Sequence, residues 1–435
     1  MRYVSTRGGD TVDLATALGR GLAADGGLFL PETLPPLPSG FWTGADPGSP
    51  AAIATRLLAP FVEELSPAEL RPLLDEALDF PFPLREIEER ISLLELFHGP
   101  TLAFKDVGAR VLARLLPRLV GSGCAPVTVL VATSGDTGGA VASAFHGVSG
   151  TRVVVLYPAA QVSERQERQM ATLGDNVTAL RVQGTFDDCQ RLVKGALADR
   201  ELAGRLALTS ANSINVGRLL PQMAYYAAAH FAATGDGRRT VYCVPSGNFG
   251  NLTAGLMAER LGLPARRFLA ATNANDVVPV YLATGRLEPR PSVRTLAHAM
   301  DVGDPSNLER IQALFGGDLD ALRRRVAASR HGDDEIRAVI RDLDRRRGVV
   351  VDPHTAVGVA AARRYLAEEG EGADRVVVLA TAHPAKFESV VEPILERPLP
   401  VPERLARALA RPLLSLDLEP EPEALVAVLD RLPAH

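Results

Sequence analysis

Lys105 stands in Leu96-Phe97-His98-Gly99-Pro100-Thr101-Leu102-Ala103-Phe104-Lys105-Asp106, between an aromatic ring and a carboxylate and at the end of an apolar run. The chain has only three lysines, Lys105, Lys194 and Lys386, and draws almost all its positive charge from arginine. A lysine amine loses its proton when desolvated and then attacks carbonyls, whereas arginine stays charged. Lys105 is therefore a candidate carbonyl-reactive nucleophile. The competing reading is a surface lysine near a helix end.

Three further stretches offer anion donors. Ser246-Gly247-Asn248-Phe249-Gly250-Asn251 joins an apolar strand-like run to a helical one. Its glycines let the backbone approach an anion, and a helix start points free amides at it. The stretch lacks the lysine of a P-loop and the spacing of a dinucleotide fingerprint. A plain turn needing glycine is the alternative. Thr133-Ser134-Gly135-Asp136-Thr137-Gly138-Gly139 is a second turn of this kind, with the hydroxyls of Ser134 and Thr137 but also a carboxylate. Asp136 caps the helix in its plainest role; it could instead bond a ring hydroxyl or steer a protonated amine. Asn212-Ser213-Ile214-Asn215-Val216-Gly217-Arg218 adds an amide, a hydroxyl and a guanidinium, which suit phosphate or carboxylate. The alternative there is an N-cap by Asn or Ser and a surface arginine.

Thr381 ends another strand-like run and offers a hydroxyl to a neutral ring nitrogen; His383 reads equally as a loop residue bonding backbone. A carbonyl-trapping lysine, a phosphate cradle and a partner for a ring nitrogen together fit pyridoxal 5'-phosphate. The second set of anion donors then fits a phosphorylated substrate.

These residues need a frame that gathers them. From about residue 93 the chain alternates continuous apolar strands with helices: strands at Val127–Ala132, Arg152–Leu156, Val177–Val182, Ala207–Ser210, Thr240–Val244, Arg267–Ala271 and Arg375–Ala380. Between them come helices near Gly138–His146, Ser163–Leu173, Phe186–Asp199, Val216–Ala233 and Leu252–Leu261. Buried continuous strands alternating with helices predict a parallel α/β sheet, whose ligands gather at the carboxyl ends of the strands. Each candidate stretch comes just after such an end. Residues 1–95 read as helices and loops, with Ser66-Pro67-Ala68-Glu69 as a helix start and Trp42 as a packing residue. Residues 305–370 read as helix and loop, and the proline-rich tail from about 395 as packing on the outside.

Composition narrows the class. The chain of 435 residues is 46% hydrophobic and 23% charged, with net charge −5, and it shows no basic stripe interleaved with aromatics. Nucleic acid is an unsuitable partner. No apolar run reaches membrane-spanning length, and the first residues lack an apolar signal core, so a cytoplasmic protein is expected. The three cysteines, Cys124, Cys189 and Cys243, lie far apart without metal spacing, which argues against disulfides and zinc.

The motifs FHGPTLAFKD (97–106), SGDTGGA (134–140), NSIN..R (212–218), SGNFGN (246–251), MDVGDPSN (300–307) and TAHPAKF (381–387) resemble those of threonine synthases of the bacterial and fungal branch. So do YVSTRG (3–8) and DGGLFLPE (25–32), and the similarity runs to about residue 390. The resemblance implies the fold type of the tryptophan synthase β subunit (pyridoxal-phosphate fold type II): two parallel-sheet α/β domains and a helical N-terminal region. The expected division is 1–95, 106–235, and 96–105 with 236–435. The resemblance further implies conversion of O-phospho-L-homoserine and water to L-threonine and phosphate. It implies cofactor attachment at Lys105, cofactor contacts from Gly247, Asn248, Phe249, Gly250, Asn251, Thr381 and Asp136, and substrate contacts from Ser134, Thr137, Asn212, Ser213 and Arg218. A monomer is the expected state. Val216 and Leu308 stand where an aromatic is expected, which bears on pocket shape. The rival readings are a phospho-lyase releasing 2-oxobutyrate, a dehydratase or β-replacing enzyme of the same fold, and a non-catalytic binding protein.

Overall fold

The structure is a computed structural model and describes all residues except 45–47, 121–125, 161, 234–236 and 433–435. Cys124 therefore lies outside the described residues.

A small antiparallel sheet of β1 (Tyr3–Ser5), β2 (Thr11–Val12) and β3 (Phe29–Pro31) opens the chain, in the order β2-β1-β3. The helix Pro67–Ala77 comes after it, with the expected capping box between Ser66 and Glu69. β4 (Leu84–Glu88) and β5 (Ile91–Glu95) come next. The remaining strands are β6 (Val127–Ala132), β7 (Thr151–Pro158), β8 (Val177–Val182), β9 (Leu208–Ser210), β10 (Arg239–Pro245), β11 (Ala265–Thr272), β12 (Val326–Arg330), β13 (Asp374–Ala380) and β14 (Leu416–Leu418). They build a five-stranded sheet, β14-β8-β7-β6-β9, and a six-stranded sheet, β12-β11-β10-β13-β5-β4. All neighbours in both are parallel except β4 beside β5.

Strands buried on both faces explain the near-continuous apolar runs: every residue of β6 and β7 is buried. Alternate side chains enter different cores. Val129 and Val153 of the five-stranded sheet share one large cluster with Tyr242, Phe268 and Val377 of the six-stranded sheet. The opposite faces pack separately, Val241, Cys243 and Val378 in one cluster, and Leu130, Val154 and Cys189 in another. One core thus joins the two sheets, and each carries a second helical layer outside. Five helices matter for the site and its support: α1 (Lys105–Leu119), α2 (Asp136–Phe145), α3 (Phe186–Ala198), α4 (Gly250–Arg260) and, near the end, α5 (Pro422–Leu429).

The structure departs from the sequence reading in five places. Residues 1–31, read as helix and loop, hold the small sheet β1–β3. Residues 84–95 are not helix and loop but a hairpin whose β5 pairs with β13. β12 lies inside 305–370 and forms the other edge of the same sheet. The tail does more than cover the outside: β14 extends the five-stranded sheet beside β8, and α5 contributes Leu425 and Leu429 to its core. The helix expected over Val216–Ala233 is broken into Val216–Leu219, a short 3₁₀ turn at Leu220–Gln222 and Met223–Ala232, because Pro221 cannot supply the amide a continuous helix needs. Trp42 packs as expected, its ring on Phe41 and its Nε1–H donating to Leu261 O at 2.7 Å. Among the described residues no helix is long and apolar enough to cross a membrane.

Candidate active site

The carboxyl ends of β6, β10 and β13 converge on a cavity of about 250 Å³ between the two sheets. The cavity gathers every residue singled out in the sequence for cofactor or substrate: Lys105, Ser134, Asp136, Thr137, Asn212, Ser213, Arg218, the run Gly247 to Asn251, and Thr381.

Lys105 is the first residue of α1 and is largely buried, its side chain 17% exposed. Burial lowers its pKa. Asp136, with Oδ2 at 3.6 Å from Nζ, opposes the shift, while Lys386 and Arg218 reinforce it. Burial of this kind favours the uncharged, nucleophilic form of an amine.

The turn before α4 presents a cradle. Phe249 adopts the left-handed conformation (φ 59°) and caps α4 without a side-chain hydrogen bond. Among the described residues, the amides of Gly247, Asn248, Phe249, Gly250 and Asn251 donate to nothing. Buried backbone amides are normally paired, so five free in succession fit an anion with several oxygens. The side chain of Asn251 is occupied otherwise: it accepts from Ser246 Oγ at 3.0 Å and donates to Pro245 O at 2.9 Å, pinning the loop. Asn248 holds the loop from the other side, accepting from Ser306 N and donating to Ser213 Oγ. Thr381 comes directly after β13, and its hydroxyl has no partner among the described residues, so it is free for a ring nitrogen. The residues present fit a phosphorylated pyridine aldehyde.

Asp136 is not a helix cap. Gly135 occupies that position at φ 143°, where an added Cβ would meet Gln166 at 2.5 Å, so only glycine fits. The Asp136 carboxylate accepts instead from Gln166 Nε2 at 3.0 Å and pairs with Lys386 Nζ at 2.9 Å. Burial alone would raise its pKa, but the two lysines outweigh that and hold it well below the usual carboxylate range. Lys386 lies in the TAHPAKF motif; as one of only three lysines in the chain it carried a signal that sequence reading left unused.

Asn212 and Ser213 are not caps either; Asn215 caps that helix, accepting from Gly217 N at 2.9 Å. Asn212 closes on the end of β6, donating to Ala132 O at 2.7 Å. Arg218 is not on the surface: it is 4% exposed and, among the described residues, pairs with no carboxylate within 4.0 Å. One Nη1–H goes to Ala211 O, its Nε is buried without a partner, and burial lowers its pKa to about 10. Asp106 is the charge that opposes this shift, and the guanidinium keeps donors free towards the cavity, a disposition that suits an anion. Val216 and Leu308, where an aromatic is expected, lie in the apolar core and do not themselves line the cavity. His383 bonds backbone, its Nδ1 accepting from Ala385 N at 3.1 Å.

Sequence reading missed two walls. Helix α3 supplies Phe186, Gln190, Val193 and Lys194 to one. His298 and His354 line the other, with rings 6.0 Å apart, and His354 Nδ1 lies 2.6 Å from Asp352 Oδ1. Neither histidine belongs to a compact motif, and no local pattern marks them.

The fold and the site define a pyridoxal-phosphate-dependent enzyme, and residues 79–382 match the family model described as pyridoxal-phosphate dependent enzyme. Residues 2–78 match the threonine synthase N terminus, and 355–428 the threonine synthase C-terminal model. The chain is 43% identical over 408 residues to threonine synthase of Serratia marcescens, covering 93% of each chain. It superposes on the crystal structure of Escherichia coli threonine synthase with a TM-score of 0.90 at 39% identity, covering 99% of both chains. It also superposes on pyridoxal-phosphate-bound threonine synthase from Brucella melitensis with a TM-score of 0.92 at 36% identity, covering 99% of this chain and 98% of that one. The chain belongs to the threonine synthase family and works as a pyridoxal-phosphate-dependent lyase of threonine synthesis.

Proposed function

We propose that the chain converts O-phospho-L-homoserine and water into L-threonine and phosphate, with Lys105 carrying the cofactor and moving protons at the substrate. Pyridoxal phosphate, when bound, supplies a carbonyl for amines and a ring that draws electrons from the substrate's α-carbon. The free amides of Gly247 to Asn251, at the positive end of α4, would hold its phosphate. Thr381 would meet the ring nitrogen with a hydroxyl, which leaves that nitrogen unprotonated. Asp136, held by Lys386 and Gln166, stands beside the attachment lysine as a fixed negative charge.

The Lys105 amine, whose uncharged form burial favours, would take the α-proton and return one to Cα. Arg218, Ser134, Thr137, Asn212 and Ser213 bind the substrate's phosphate or carboxylate. Arg218 is the observation that carries this reading: a desolvated guanidinium with no carboxylate within 4.0 Å among the described residues, in the same cavity as a separate row of free amides. With the amide row given to the cofactor's phosphate, the Arg218 guanidinium and the hydroxyls and amides around it are left for the anions of the substrate.

A cavity lined from both sheets of one chain needs no second copy, and we place the enzyme in the cytoplasm as a monomer. The purified holoenzyme, given O-phospho-L-homoserine, should release threonine and phosphate in equal amounts. Phosphate released with 2-oxobutyrate would overturn the reading in favour of a phospho-lyase. Light scattering at twice the chain mass would overturn the monomer.

A further inference from the structure

Two of the three lysines converge on one carboxylate. Lys386 Nζ lies 2.9 Å from Asp136 Oδ1, and Lys105 Nζ lies 3.6 Å from Asp136 Oδ2. The two amines are not equally well bonded. Lys386 is 0% exposed and also donates to Thr101 O at 2.7 Å, so two of its N–H groups have acceptors. Among the described residues, Lys105 has only the longer contact to Oδ2 and the Phe104 ring 5.1 Å from its Nζ.

Charge counting decides which amine keeps its proton. With both lysines charged, the set Lys105, Asp136 and Lys386 carries net positive charge in a dry site; with one charged it is neutral. A buried net charge is costly, and the proton stays on the amine with the better acceptors, Lys386. The other groups facing this set do not reverse the count. Arg218 adds positive charge, and burial keeps His298 neutral. Asp106, whose carboxylate accepts from Thr101 N at 2.8 Å and Oγ1 at 2.6 Å, carries the charge that faces Arg218, so this second pair cancels and the count for the two lysines is unchanged.

We propose that Lys386 is a positioning residue for the reaction: it occupies Asp136 in a buried ion pair and thereby leaves the Lys105 amine uncharged and able to meet a carbonyl. The inference rests on Lys105 being the carbonyl-reactive lysine. Asp136 begins α2, which packs on the five-stranded sheet, whereas Lys386 lies just beyond β13 of the six-stranded sheet. The charge on Lys105 therefore depends on the two halves meeting.

Competitive labelling tests this. The full-length chain, freed of cofactor, is treated with acetic anhydride over a pH series, and acetylation of Lys105 is read by peptide mass spectrometry, with exposed Lys194 as internal control. Lys386→Met should raise the Lys105 midpoint by about one pH unit or more, roughly a tenfold smaller reactive fraction at neutral pH. Lys386→Arg should leave it near wild type. An unchanged midpoint in Lys386→Met overturns the proposal. Should that variant not fold, Lys386→Gln decides: it keeps a polar side chain for Asp136 and Thr101 without the charge and should raise the Lys105 midpoint likewise, and an unchanged or lowered midpoint overturns the proposal. Borohydride reduction of the holoenzyme separates the two levels. Cofactor fixed on another lysine overturns the reading of Lys105 and the inference with it. Cofactor fixed on Lys105, with a midpoint insensitive to residue 386, overturns the role of Lys386 alone.

Discussion

Asn248 donates from Nδ2 to Ser213 Oγ at 2.6 Å, joining the amide cradle before α4 to the loop that leads to Arg218. The two anion sites are thereby tied by one hydrogen bond across the halves of the molecule. Ser213→Ala leaves the Asn248 amide without its acceptor, at a cost of about 1–3 kcal/mol for an unsatisfied buried donor. Cofactor affinity, measured by fluorescence titration, and KM for the phosphorylated substrate should both worsen, each by roughly 5- to 100-fold on that energy scale. A variant in which only KM moves would show that the cradle does not lean on Ser213.

Gly247 and Gly250 should answer differently to alanine. At Gly247 an added Cβ would meet Met300 Cα at 2.7 Å, a backbone atom that cannot give way cheaply. At Gly250 the nearest atoms, Asn307 Nδ2 at 3.5 Å and Ser213 Cβ at 3.7 Å, are in ordinary contact range. Gly247→Ala is expected to shift the loop and lower the thermal midpoint even without cofactor. Gly250→Ala should keep the midpoint of the cofactor-free chain and lose only cofactor affinity. Equal midpoints for both variants would show that the 247 contact relaxes freely.

The His298 imidazole is kept neutral: burial, reinforced by His354, pushes its pKa down to about 4. Such a group binds fewer protons folded than unfolded between those values. Its contribution to stability is complete above the ordinary imidazole pKa of about 6.5 and is lost as pH falls towards the folded value. Burial lowers His331 and His383 in the same direction, so other histidines share the acid loss. His298→Asn should shrink, not abolish, the drop in urea midpoint between neutral and mildly acidic buffer. A drop as large as wild type would remove His298 from the account.

The tail is expected to be part of the site's support. Leu418, Leu425 and Leu429 are buried against Leu180, Val182 and Leu192, and Arg181 pairs with Asp417 at 2.7 Å. Each buried leucine is worth about 1.5–3 kcal/mol. On the far side of that layer, Phe186, Gln190 and Val193 of α3 line the cavity. Ending the chain before Pro412 should lower the urea midpoint and raise KM together. An unchanged midpoint would mean the tail merely covers the surface.

Local signals in the sequence carried far here. Near-continuous apolar runs mark β6, β7, β10 and β13. The residues just past β6, β10 and β13 reach the cavity, because strand direction alone fixes where the carboxyl ends of parallel strands gather. What stayed hidden is non-local. β4, Leu-Arg-Glu-Ile-Glu, is an edge strand with one buried side chain, so its pattern reads as a charged loop until β5 pairs with it. β14 is three residues long and owes its conformation to β8. Asp136 read as a cap because a carboxylate at a helix start normally is one; only the approach of Lys386, 250 positions away in the chain and on the other sheet's side, gives it another partner. His298 and His354 share the cavity wall through loop paths that no spacing encodes.

Arg218 provides the sharpest mutational test of the second anion site. Its guanidinium is dry, its Nε unpaired, and its backbone oxygen already accepts from Gln222 Nε2 at 2.6 Å, so the local chain is held whatever the side chain. A charge-assisted hydrogen bond to an anion is worth about 1.5–3 kcal/mol, so Arg218→Ala should raise KM for the phosphorylated substrate roughly 10- to 100-fold. Because Arg218 adds positive charge beside Lys105, its loss should also raise the Lys105 midpoint slightly and lower kcat by a smaller factor. Arg218→Lys keeps the charge but not the planar fork, and should recover less than half of the lost binding energy. Inorganic phosphate, a product, should inhibit the wild type competitively and inhibit Arg218→Ala more weakly. Equal inhibition of the two, with KM unchanged, would show that the guanidinium serves only to hold Ala211 and that the substrate's anion is bound by other groups.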